Sequence, residues 1–109
     1  MSTNYYAHGP DLPDGGLHIG QHSLGWEFLF RAHRDRGLTS TRLWFELLCL
    51  PGVEIRSEFG TSVPLCVFWA DLTRRFTVDG ESTKRFGVHH RKDEFRDGRG
   101  RPFLDADFC

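Results

Sequence analysis

The densest run of reactive residue types is His18-Ile19-Gly20-Gln21-His22-Ser23-Leu24-Gly25-Trp26-Glu27-Phe28. His18 and His22 stand four apart, the helical spacing at which two imidazoles share a face and chelate one ion. Gly20 lies between them and Gly25 follows, which disfavours a helix. On a strand the same spacing places the rings about 13 Å apart, at roughly 3.3 Å per residue. Ligand distances near 2 Å then require a sharp bend at Gly20. The run reads better as a β-hairpin with histidines at its rim.

Other reactive residues lie toward the C-terminus. His89, His90 and Asp93 are near neighbours in sequence, as are His22 and Ser23. Neither set belongs to a nucleophile elbow or a zinc motif. Adjacent histidines on a strand point to opposite faces, so His89 and His90 do not aim at one centre. His18, His22, His89, His90 and Cys109 are the residues a structural zinc would use if the two ends of the chain meet, with His8 as a further donor near the start. The spacing predicts no catalytic metal and no other cofactor.

The elements that must position these residues follow from periodicity. Residues 1–16 hold Pro10, Pro13 and Asp14-Gly15-Gly16, turn formers that predict a loop or tail, with Tyr5 and Tyr6 offering at most an added edge strand. Residues 17–109 read as one domain. Leu17–Gln21 predicts a strand. Trp26, Phe28, Phe30 and Ala32 alternate with Glu27, Leu29, Arg31 and His33, which predicts a second. Thr39 or Ser40 can cap a helix whose stripe is Leu43, Trp44, Leu47 and Leu48, ending at Pro51-Gly52. Val53–Glu58 alternates as a strand. Ser62 and Pro64 suit the start of a second helix with stripe Leu65, Phe68, Leu72 and Phe76, widened by Trp69. Phe86–His90 suits another strand. Glu94–Arg96 and Phe103–Phe108 flank turn residues and predict a closing hairpin. The order β-β-α-β-α-β-β-β predicts an α+β domain, a mainly antiparallel sheet with two helices on one face.

Totals narrow the role. A chain of 109 residues fits a single domain that hides roughly two-thirds of its unfolded surface. Fourteen basic and fifteen acidic residues leave a net charge of −1, so no overall field draws nucleic acid. Locally, Lys84, Arg85, Arg91, Lys92, Arg96, Arg99 and Arg101 outnumber Asp93, Glu94 and Asp97. Three cysteines without a Cys-x-x-Cys pair suit a reducing cytoplasm. Cys49 and Cys66 fall in apolar helical patterns and read as packed thiols. No apolar run is long enough to span a membrane.

The run at 18–28 resembles the His-Ile-Gly-Lys-Ser-Ser-x-Gly-Trp-x-Phe motif of small uncharacterised phage and prophage proteins. Ser57-Glu58-Phe59-Gly60 is similar to that family's acidic residue followed by Glu-Tyr-Gly, and Asp107-Phe108-Cys109 is similar to its ending. The family's Cys-x-x-Cys pair is replaced here by "YYAHGPDLPDGG". The resemblance implies a mobile-element origin in a bacterial cytoplasm, and no known activity. The expected role is non-enzymatic binding of a host or phage protein, with action against a host defence system as the implied purpose. The alternative is a metal-assisted enzyme acting on nucleic acid or a nucleotide. Aromatic and arginine residues dominate interface hot spots, so Tyr5, Tyr6, Arg31, Arg34, Arg36, Arg96, Arg99 and Arg101 are the candidate contacts. The sequence favours a protein partner over nucleic acid.

Overall fold

The computed structural model describes residues 2–23, 28–73, 94–98 and 101–105. Among the described residues seven strands form one sheet: β1 Ser2–His8, β2 Leu17–Ser23, β3 Leu29–Arg31, β4 Glu54–Ser57, β5 Ser62–Val63, β6 Glu94–Arg96 and β7 Pro102–Leu104. Their order is β5-β4-β1-β2-β3-β7-β6. Every pairing is antiparallel except β3 with β7. Helix α1 spans Thr41–Leu48 and helix α2 spans Leu65–Thr73. The chain is α+β, with a mainly antiparallel sheet.

The N-terminal segment departs from expectation. Residues 2–8 are neither tail nor edge; β1 lies inside the sheet, between β2 and β4. The expected turns do occupy residues 9–16. β1 was hidden because its apolar inward side chains are only Tyr5 and Ala7, with Thr3 beside them, while Asn4, Tyr6 and His8 alternate to the other face. Backbone pairing on both flanks satisfies its amides, so a polar sequence suffices for an interior strand.

The two strands of the first hairpin pair antiparallel, Gly20 with Phe30 and Gln21 with Leu29. But β2 runs on through His22 and Ser23, expected in the turn, β3 spans only Leu29–Arg31, and residues 24–27 lie outside the described residues. Phe28 and Phe30 are buried in one cluster. Trp26 lies outside the described residues, as do Phe76 and the strand expected over residues 86–90. Leu29, assigned by alternation to the face away from the core, is also buried, as is Leu104 beside Arg31 on β7.

Both helices pack on the same face of the sheet. Trp44 and Leu48 of α1 join Phe68 and Leu72 of α2 in the core cluster with Ala7, Ile19, Phe30, Ile55 and Phe103. Phe45 and Trp69 meet edge to face at 4.9 Å between the helices. The α1 stripe is rotated from the expected one: Thr41, Trp44 and Leu48 are buried, whereas Leu43 is exposed. Ser40 caps α1, its hydroxyl accepting from Leu43 N at 3.2 Å. Ser62 is not a cap. It belongs to β5, and the Pro64 carbonyl accepts the first α2 bond from Phe68 N at 2.9 Å. Cys49 and Cys66 are free and exposed, not packed thiols.

The closing hairpin pairs Phe95 with Phe103, and Phe103 pairs in parallel with Phe30. Their rings stack in a row at 5.3 and 4.9 Å. Asp97 ties this hairpin to α1. Its Oδ2 accepts from Thr41 N at 2.8 Å and from Thr41 Oγ1 at 2.7 Å, and its Oδ1 accepts from Arg101 N at 2.9 Å. A carboxylate at a helix N-terminus satisfies a free amide and complements the helix dipole.

Candidate functional site

A bulge settles how His18 and His22 relate. Tyr5 pairs Gly20 and Tyr6 pairs His18, so Ile19 is an extra residue in β2. Ile19 and Gly20 both turn toward the helices: Ile19 is in the core, and a Cβ on Gly20 would stand 2.5 Å from Phe28 Cε2. The added residue breaks the alternation. His22 pairs Thr3 and His18 pairs Tyr6, so the register puts the two histidines on opposite faces. They do not converge on one ion. His89, His90 and Cys109 lie outside the described residues.

The face away from the helices carries a polar network around His18. Asn4 N and Asn4 Nδ2 donate to Glu58 Oε1 at 2.7 and 3.3 Å. Asn4 Oδ1 is therefore the acceptor for His18, whose Nε2 donates at 2.8 Å. His18 and Asn4 are buried, and Tyr6 lies against the His18 ring at 5.1 Å. Beside it an open cleft of about 300 Å³ is lined by Tyr6, His8, Arg56 and Glu58. Arg56 is paired with Glu54 across that surface. Buried polar groups satisfied in this way fix the register of β1 on β2.

The expected contact residues scatter. Tyr5 is not a surface residue: it packs on Phe68 at 5.1 Å and belongs to the helix side. Tyr6 is on the opposite face. Arg31 is half-buried at the end of β3, and its carbonyl accepts from Trp44 Nε1 at 3.0 Å. Arg34 pairs with Asp105 at 2.5 Å and lies 5.1 Å from the centre of the Phe95 ring. Arg36 is exposed and reaches the Asp11 carbonyl. Arg96 is exposed and Arg101 is half-buried. Arg99 lies outside the described residues. Phe103 is fully buried and Phe95 partly so, as expected for the inner face of the hairpin.

Sequence reasoning passed over the solvent side of α2. Cys66, Val67 and Ala70 are exposed there, with Val67 at 56%. Together with Tyr5, Val63, Phe68 and Asp71 they line a groove of about 520 Å³ beside β5, an edge strand of the sheet. The signal was present: Leu65-Cys66-Val67-Phe68-Trp69-Ala70 is apolar around the whole helix, where a surface helix alternates with polar residues. A second hollow of about 260 Å³ lies between the helices, lined by Thr41, Arg42, Phe45 and Trp69. No helix among the described residues is long and apolar enough to cross a membrane.

No family model, curated protein or solved structure matches this chain.

Proposed function

We propose that the protein is a non-enzymatic binding module whose working surface is the exposed face of α2 and the groove beside it. The carrying observation is the helix that stays apolar on its solvent side: Cys66, Val67 and Ala70 lie outward where water would favour charge. Apolar surface gathered beside a groove marks an interaction site more often than chance exposure does. Among the described residues the neighbouring strand β5 stands at an edge of the sheet, the position at which an extended segment adds. The resemblance to phage and prophage proteins supports a host or phage protein as the partner, in the bacterial cytoplasm, with a host defence component as the target. The basic residues near the closing hairpin support this less: Arg34 is paired with Asp105.

The test compares capture of a bacterial protein by three forms of the chain: wild type, Val67→Glu with Ala70→Arg, and Arg96→Glu with Arg101→Glu. Loss of capture in the α2 variant alone supports the reading. Loss in the arginine variant alone moves the interface to the closing hairpin and overturns it.

A further inference from the structure

We infer that two copies of this chain pair through their β5 edges, each placing Phe59 in the groove beside α2 of the other. Phe59 is 74% exposed, more than any other large apolar residue among those described. The turn that presents it is firmly held. Ser57 Oγ accepts from Phe59 N at 3.2 Å and from Thr61 N at 3.3 Å. The Ser57 carbonyl accepts from Gly60 N at 2.9 Å, and Ser57 N donates to the Thr61 carbonyl at 2.9 Å. Glu58 N donates to the Asn4 carbonyl at 2.8 Å, which ties the turn to β1. Gly60 closes the turn at φ 84°, a conformation glycine adopts without strain. A phenyl ring carried on so ordered a turn loses little backbone freedom on docking.

The groove that receives it adjoins the same strand. Tyr5, Val63, Cys66, Val67 and Phe68 line about 520 Å³ there, and Val67 is 56% exposed. Among the described residues β5 stands at an edge of the sheet. Two identical edges pair antiparallel across a two-fold axis. Ser62 of one copy then stands opposite Val63 of the other. Phe59, three residues before Ser62, comes to Cys66, three residues after Val63, with Val67 next to it. Ring and groove therefore meet twice, once from each copy. Each buried ring removes roughly 150–250 Å² from water and covers a similar area of lining. Two such contacts and two short strand edges come to about 1,200 Å² or less, the size at which association is weak and transient. The pair then forms at roughly tens of micromolar and leaves α2 open below that. This pairing rests on the reading of the groove as a docking surface, and the second copy competes there with the proposed partner.

Sedimentation of the full chain from about 1 µM to about 1 mM tests the pairing. The mean mass of the wild type should rise toward that of two chains. Phe59→Ser, at an exposed turn, should weaken association by at least about tenfold. Arg96→Glu, on β6, should leave it unchanged. A photoreactive phenylalanine analogue at position 59, in mixed light and heavy-isotope chains, should link to residues 63–67 of the other copy. A wild type that stays monomeric, a Phe59→Ser variant that associates as tightly, or links between copies only elsewhere overturns the proposal. Phe59→Ser leaves the groove itself intact, so the two readings fail separately. A chain that captures a bacterial protein through α2 yet never self-associates sinks the pairing alone.

Discussion

Gly20 is the residue whose identity the fold constrains most visibly. A Cβ there would lie 2.2 Å from the Leu29 carbonyl oxygen and 2.5 Å from Phe28 Cε2. Neither the backbone of β3 nor a buried ring yields cheaply, so Gly20→Ala should destabilise the chain by about 1–3 kcal/mol in urea titration. The histidine run thus serves close packing at Gly20 and a bulge at Ile19. Its hairpin was legible from alternation, but its bulge was not, because an inserted residue leaves no composition signal. His33 supplies the second prediction at this scale. Burial strips hydration from its charged ring and holds its folded-state value below the ordinary one. The unfolded chain therefore binds more protons in the window between the two values. Stability from this group is full above about 6.5 and is lost as pH falls from there toward the folded value. Urea titrations across that window should show a smaller acid loss for His33→Gln than for wild type.

Among the elements, α1 depends on a partner far along the chain. Ser40 caps it locally, one of the two caps the sequence offered beside Thr39, and Asp97 caps it from the closing hairpin, which the sequence did not foretell. Spacing within a segment reveals local caps. A contact across 56 residues follows from topology alone. Asp97→Ala removes the acceptor for Thr41 N, Thr41 Oγ1 and Arg101 N. It should cost about 1–2 kcal/mol, read from the urea midpoint at constant slope. β5 shows the same limit from the other side. Ser62 and Pro64 match a helix start, yet Ser62-Val63 pairs with Arg56-Ile55 because the turn at Phe59-Gly60 folds the chain back on β4. The α1 stripe was misplaced by favouring Leu43; the helix instead buries the hydroxyl-bearing Thr41, whose polar atoms Asp97 satisfies.

For the whole molecule, the class and helix-side layering were readable from the order of periodic segments, and the placement of β1 and β7 was not. β7 inserts beside β3 in parallel, joining the two ends of the domain through Phe30 and Phe103. The layering leaves two unlike faces: a polar one around His18 and Tyr6, and a helical one where α2 turns Val67 outward. Because Val67 contributes little to the core, Val67→Glu should move the thermal midpoint by little, within about 0.5 kcal/mol of wild-type stability. Binding and folding are then separable on this helix. The decisive measurement is photo-crosslinking in bacterial cells from two single positions, one replacing Val67 on α2 and one replacing Arg56 on the polar face. The account predicts one discrete protein adduct from position 67 and none of that mass from position 56. The same adduct from position 56, with none from 67, would contradict it.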